Sequence, residues 1–318
     1  MSDTFVPSFS FSVKEELASL DYSKEEGRAL LSGFIKSNGS FRLSNGKETL
    51  DLSTESSKVA MLLYKLVAMI YGIQGHFAYT RGVGSRKAIR YHCLIPSCDV
   101  VLKDVEVDFF NSKVPSFVSE NKDSSAAYLQ GVFLAVGYVS DPRNKNYHLE
   151  FPFSDKSYAT WISHLINKAV DGNFESKIVE RRKQSVVYIK RSEKISEFLA
   201  YLQASNSCLD FENARVDRDF ANIGNRLRNL DGANQRKKEA ASETQLREIL
   251  FLKERGVLQS VRNIKTILLC DLRIANPDAS MESLAEMLSE EMGMSISKSN
   301  INHLFRSIHE LYLLEKDK

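Results

Sequence analysis

The apolar positions of this chain follow two rhythms, one of helical and one of strand period, and the order in which they come is repeated. Residues 29–41 are densely apolar, with Gly33 inside the segment and Gly39 near its end. Residues 48–53 alternate apolar with polar, as a half-buried strand does. Residues 57–71 return to helical spacing and stop at Gly72. Two strand-like runs follow, 76–81 and 89–95, split by Gly82-Val83-Gly84, and Pro96 opens a short helix over 97–104. From Ala127 the order begins again. Residues 127–139 are densely apolar, 147–151 read as a strand, and 157–170 as a helix ended by Asp171-Gly172. Residues 174–180 and 185–190 read as a hairpin, and 192–203 as a closing helix. Each half thus predicts helix, strand pair, helix, strand pair, helix.

The glycines mark the repeat: Gly33 aligns with Gly131 and Gly39 with Gly137 at one common offset. A glycine inside an apolar helix costs ~1 kcal/mol against alanine. That cost is offset if the two helices pack with their backbones in close approach. Gly39 and Gly137 are expected at helix C-termini, in the position that takes positive φ.

Residues 206–245 differ in kind, being rich in Asn, Arg and Asp. Their periodic apolars, Phe211, Val216, Phe220, Ile223, Leu227 and Leu230, predict a polar helix or helix pair acting as connector; an extended linker is the alternative. Beyond it the pattern is all helical. Residues 261–274 end at Asn276-Pro277, and 281–291 are capped by Ser280. After Gly293, Ser297 caps 298–311, whose apolar positions are Ile301, Leu304, Phe305, Ile308 and Leu311. Three helices with a glycine-bearing turn before the third read as a helix-turn-helix, or else as a plain three-helix bundle with a polar face. The expected organisation is an α+β domain over 1–205 with halves of about 22–115 and 122–205, a helical connector over 206–245, and an all-α domain over 246–318.

Composition narrows the class. The chain has 318 residues, 43% of them hydrophobic and 26% charged, which fits folded globular domains and excludes disorder as the main state. The longest apolar stretches, 59–70 and 128–139, are broken by Lys65 and Gln130 and fall short of the roughly 18 residues that span a bilayer. No basic segment precedes an apolar run at the N-terminus, so a cytoplasmic location is expected. Cys93, Cys98, Cys208 and Cys270 show no zinc-ligand spacing and are expected as buried thiols; no metal and no cofactor is expected. The net charge of +2 hides three basic islands, 81–90, 177–191 and 215–238. Together they point to a polyanion partner more than to a membrane.

With these residues in place, two resemblances are visible. Segments 29–41 and 127–139 resemble degenerate LAGLIDADG motifs of the homing-endonuclease fold. That resemblance covers roughly 22–205 and implies two motif helices packed at a pseudo-two-fold axis, with two four-stranded sheets forming a saddle that lies on DNA. Asn213-Ala214-Arg215, Arg218-Asp219, Asn225-Arg226-Leu227 and Ala233-Asn234, then Asn276-Pro277-Asp278-Ala279-Ser280, Leu284-Ala285-Glu286-Met287-Leu288 and 296–303, resemble the WhiA family. The fold so implied is a duplicated LAGLIDADG-like αββαββα saddle followed by a helix-turn-helix. The family consists of bacterial DNA-binding regulators tied to sporulation and cell division. Asn300 stands where the family is expected to carry glycine, and Leu304 and Phe305 where it carries a more basic pair.

In a helix-turn-helix the third helix enters the major groove, which here presents Lys298, Ser299, Asn300, Asn302, His303 and Arg306. Asn pairs bidentately with adenine, Arg with guanine, and Lys or Ser holds phosphate. Arg226 and Arg228 in the connector are expected to contact phosphate or to orient this domain; the alternative is that Arg226 packs against Asp231 or the domain surface. A homing endonuclease needs an acid at the end of each motif helix to hold Mg²⁺. The matching positions are Asn38 and Val136, with the cation Lys36 two residues before the first, and Asp141 is expected beyond the second helix. No catalytic residue is therefore expected. Gly82–Lys87 lacks the rest of a phosphate loop, and the six histidines form no HxxxH pair. The expected function is transcription regulation on promoter DNA, nucleoid-associated and non-enzymatic, with other transcription or division proteins as further partners. The alternative is a non-catalytic architectural or partner-binding protein in chromosome organisation or cell division, whose DNA contact is mostly electrostatic. In a third class the saddle binds another protein or a nucleotide instead of DNA.

Overall fold

Two glycine-notched helices, α2 (Lys24–Asn38) and α5 (Lys122–Val136), lie against each other along their length. A Cβ on Gly33 would overlap the Tyr128 carbonyl, and one on Gly131 the Leu30 carbonyl. Glycine at both positions is what lets the two backbones touch, as the repeat in the sequence implies. The structure, a computed structural model, describes residues 7–44, 47–82, 89–110, 112, 114–144, 146–169 and 173–318. It separates into two units, Met1–Asp219 and Phe220–Lys318. The Val83–Lys87 part of the glycine loop and the Asp171-Gly172 stop lie outside the described residues.

Each helix of the pair leads directly into a sheet. After α2 come β1 (Gly39–Ser44), β2 (Lys47–Thr54), α3 (Ser57–Tyr71), β3 (His76–Arg81), β4 (Ile89–Pro96) and α4 (Cys98–Asp104). After α5 come β5 (Tyr138–Val139), β6 (Leu149–Phe153), α6 (Lys156–Lys168), β7 (Lys177–Arg181), β8 (Gln184–Ile189) and α7 (Ser192–Tyr201). Both sheets are antiparallel and share one strand order, β1-β2-β4-β3 and β5-β6-β8-β7. Alternation buries one face of each: Leu50, Leu52, Cys93 and Ile95 in the first, Phe151, Val187 and Ile189 in the second. This is the duplicated α+β fold that the sequence implies.

Three expectations need correction. Gly39 and Gly137 do not take positive φ; they sit at −70° and −64°, Gly39 as the first residue of β1 and Gly137 directly before β5. Space requires glycine there, since a Cβ would lie 2.6 Å from the Ile35 carbonyl oxygen and 2.7 Å from the Phe133 Cα. Helix α1 (Phe9–Leu17) was not expected. It is held by the Ser8 cap and by Phe9, Val13 and Leu17 at helical spacing, all buried. The thiols are free, but only Cys93, Cys98 and Cys270 are buried; Cys208 is half-buried.

Residues 206–245 all fall within one helix, α8 (Ser205–Glu254). Phe211 anchors its start in the first core, stacked at an angle on Phe9 and Tyr147. Its final turns supply Ile249 and Leu252 to the core of the second unit. That core is completed by α9 (Ile264–Ala275), α10 (Met281–Met292) and α11 (Lys298–Lys316).

Candidate nucleic-acid interface and the helix-pair base

Local signals build the α10–turn–α11 unit. The Ser280 hydroxyl caps α10 by accepting from Ser283 N at 3.1 Å. Gly293 closes that helix with φ of 62°, where a side chain would be strained. The Ser289 hydroxyl accepts from Ile296 N at 2.9 Å and so ties the turn back to α10. The Ser297 hydroxyl caps α11 by accepting from Asn300 N at 3.3 Å. Buried Arg273 donates to the carbonyls of Pro277 (3.1 Å) and Ala279 (2.7 Å), fixing the loop before α10, while its guanidinium stands 5.5 Å from the Phe305 ring centroid.

On this frame Ile301, Leu304, Phe305 and Ile308 turn inward and are buried. Leu304 and Phe305, where a more basic pair is expected, belong to the core of this unit. Lys298, Ser299, Asn300, Asn302, His303 and Arg306 are all exposed. Ser299, Asn302, His303 and Arg306 stand three, four and seven residues apart and so share one stripe of α11. Lys298 is partly committed: its ammonium donates to Glu282 on α10, and that bond draws the Glu282 carboxyl below its usual range.

Arg226 and Arg228 are exposed on α8. Arg228 donates to Asn225 Oδ1 at 2.7 Å, and Arg226 makes no ion pair among the described residues. The same stretch leaves Phe220, Ile223, Leu227 and Leu230 each more than half exposed.

Asn38 and Val136 are the last residues of α2 and α5, so the helix-pair base holds the two expected positions. Asn38 Nδ2 donates to the Ser53 carbonyl at 2.8 Å; Val136 is half-buried against the core. Neither offers a carboxylate. Lys36 donates to the Asp108 carbonyl, and desolvation lowers its pKa. Asp141 lies beyond α5 and β5, where Oδ1 accepts from Arg143 N at 2.8 Å. Among the described residues no cluster of three or more His, Cys, Asp or Glu is arranged to hold a metal ion.

Two polar constellations on the outer sheet faces were not read from the sequence. In the first sheet, buried Asp51 accepts from Arg42 (2.7 Å), and His92 Nδ1 lies 3.0 Å from it. Thr80 Oγ1 meets His92 Nε2 at 3.1 Å. These four residues sit on four different strands, and spacing along the chain gives no sign of it. The alternation of 48–53 does put Asp51 opposite Leu50 and Leu52, which was the available signal. In the second sheet, pairing sets Lys177 directly beside Tyr188, with Arg181 on the same face. Lys190 Nζ lies 5.3 Å from the Tyr188 ring centroid. In the first basic island Arg90 is held 3.5 Å from Glu55, and Arg86 and Lys87 lie outside the described residues.

Comparison with known proteins agrees with this geometry. The WhiA N-terminal LAGLIDADG-like domain matches residues 24–107, the WhiA LAGLIDADG-like domain 125–221, and the WhiA C-terminal HTH domain 225–312. A protein of Oenococcus oeni named "Probable cell division protein WhiA" is 33% identical over 310 residues, covering 95% of this chain and 96% of its own. A protein of the same name from Staphylococcus carnosus is 31% identical over 312 residues, covering 96% of each. The crystal structure of full-length DUF199/WhiA from "Thermatoga maritima" superposes with a TM-score of 0.58 at 21% identity, over 97% of this chain and 98% of that one, and so shares the fold. With three family domains in order and such relatives matched end to end, the chain belongs to the WhiA family.

Proposed function

We propose that this chain is a DNA-binding transcription regulator linked to cell division and sporulation, nucleoid-associated in the cytoplasm, and that it does not cleave DNA. The observation that carries the reading is the exposed stripe Ser299, Asn302, His303 and Arg306 on α11, presented by a capped helix after a glycine turn. Asn302 and Arg306 carry the base contacts; Lys298, Ser299, Asn300 and His303 flank them on phosphate or base edges. Arg226 and Arg228 add sequence-independent phosphate contacts, and residues 206–245 serve as the connector between an α+β domain (1–205) and the helix-turn-helix domain (246–318). Promoter DNA is the main partner, with other transcription or division proteins beside it.

Binding curves on a cognate duplex and on a random duplex test this. Asn302→Ala or Arg306→Ala lowers cognate affinity by about 1–3 kcal/mol and leaves the random duplex nearly unaffected. An equal loss on both duplexes removes base readout from these residues. Neutralising Arg226 and Arg228 together weakens both and flattens the salt dependence.

The absence of cleavage rests on Asn38 and Val136. Metal-assisted phosphodiester hydrolysis needs carboxylates that hold cations beside the scissile phosphates, and these positions offer an amide and an isopropyl group. Supercoiled plasmid incubated with Mg²⁺ or Mn²⁺ stays intact, with wild type and with Asn38→Asp alike. Metal-dependent nicking that survives re-purification and is lost on changing Asn38 overturns the reading.

A second reading, an architectural or partner-binding role in chromosome organisation or division, is favoured by the exposed apolar positions Phe220, Ile223, Leu227 and Leu230. DNA binding that depends on salt but not on sequence selects it over the first.

A further inference from the structure

Beside the two vacated acid positions, a pocket of about 440 Å³ opens in the first unit. Asn38 lines it at the end of α2, and Ala135, Gly137 and Tyr138 line it around Val136. Lys14 of α1 enters from a third side, its ammonium 6.0 Å from the Phe133 ring centroid. Among the described residues Lys14 has no hydrogen-bond acceptor and no ion-pair partner. Desolvation draws its pKa down to about 8, only partly offset by the Glu55 charge. A desolvated ammonium without a hydrogen-bond acceptor is costly, and an anion bound in the pocket would offset that cost.

The rest of the lining is suited to that anion. Arg90 contributes a second cation, and Glu55, the carboxylate nearest it, already faces that guanidinium at 3.5 Å. The Ser10 hydroxyl accepts from Val139 N at 3.3 Å, which leaves its proton for the pocket. Tyr138, 42% exposed, offers a ring face at the rim. Two cations, a hydroxyl donor and an aromatic face disfavour a bare metal ion and match a phosphate ester carrying a planar group. The volume falls within the range of small-molecule sites.

We propose that this pocket binds a small phosphorylated ligand of nucleotide size, with Lys14 as the anchoring cation and Arg90 as the second. Lys14 of α1 supplies the positive charge at the end of the helix pair where no carboxylate stands.

Calorimetric titration of the full-length protein with ADP and with inorganic pyrophosphate, in EDTA at pH 7, tests the proposal. The wild type binds ADP saturably at one site per chain. Lys14→Met weakens it at least tenfold, and Arg90→Gln weakens it less. Lys14→Met removes an unpaired, desolvated charge, so the unliganded variant melts no lower than wild type, and lost binding is not lost fold. A melting point several degrees lower shows that the ammonium has an internal role and overturns the proposal. So does the absence of saturable binding of either probe, or equal affinity in wild type and Lys14→Met. A random duplex is titrated in parallel: if Lys14→Met weakens only the duplex and ADP does not compete, the lysine serves DNA backbone and the small-ligand site is refuted.

Discussion

Asp51 is almost wholly buried and accepts from both Arg42 and His92, so one carboxylate holds three strands of the first sheet in register. Removing it strands both partners. Asp51→Ala is expected to cost about 2–4 kcal/mol, the lower end because Arg42 is 44% exposed and regains water. Asp51→Asn keeps an acceptor and costs less. Urea denaturation measures both; if Asp51→Ala is within 0.5 kcal/mol of wild type, as is usual for surface sites, the cluster is decorative. The same residue shows what sequence reading can reach at this scale. Inward-facing Leu50 and Leu52 are legible from alternation alone. The partners of Asp51 are not, because they come from 9 and 41 residues away, across strand pairings that local pattern does not specify. The α11 residues were legible for the opposite reason: one capped helix sorts its own faces by periodicity, and Ile301, Leu304, Phe305 and Ile308 leave the polar stripe outside by elimination.

At the scale of elements, the α2–α5 contact is the most sequence-determined feature of the fold. Gly33 and Gly131 each pack on the carbonyl of the opposite helix, Tyr128 and Leu30. An alanine at either place meets backbone, which cannot rotate away as a side chain can. Gly131→Ala is expected to cost about 3 kcal/mol or more despite the better helix propensity of alanine, which alone would gain ~1 kcal/mol. Gly224→Ala, on α8 with nothing near its Cβ, gives the control and should stabilise. If both substitutions shift the denaturation midpoint in the same direction, close helix approach is not what selects glycine at 131. Gly39 and Gly137 show where the local rule failed. Glycine at a helix end suggested positive φ, but the chain leaves each helix straight into a strand, and crowding by Ile35 and Phe133 is the cause instead. Helix α1 is not legible in the sequence because nine residues with three inward apolar positions carry little periodic signal. The apolar positions of α8 keep helical period, but burial does not follow from period. Phe211 is buried and Phe220, nine residues on, is 70% exposed.

For the whole molecule, titratable burial is distributed unevenly between the two units. Tyr22, Tyr71, Tyr128, Tyr158 and Tyr201 all lie in the first, and burial raises every one of their pKa values, to about 12 for Tyr158 and Tyr201. Burial also raises the thiols of Cys93, to about 12, and of Cys98. In the second unit the comparable group is Cys270, also near 12. A group whose folded pKa lies above its unfolded value keeps its proton in the fold while the unfolded chain releases it. Stability therefore falls as pH rises through that window, by about 1.4 kcal/mol per pH unit for each group so shifted. For the tyrosines the window opens near 10, the ordinary phenol value. Lys14 acts in the other sense: its folded value of about 8 lies below the ordinary 10.5, so it adds stability as pH rises between those values and nothing beyond them. Above pH 10.5 the tyrosines are unopposed, and the first unit should unfold before the second. The single tryptophan makes this measurable, because Trp161 lies in the first unit with its ring 5.7 Å from Tyr128. In an alkaline titration, tryptophan fluorescence should change first, together with tyrosinate absorbance, while part of the helical signal from α9, α10 and α11 persists to higher pH. Tyr158→Phe should move the fluorescence transition upward. Coincident fluorescence and helix transitions, unmoved by that substitution, would show that the buried phenols do not set the alkaline limit.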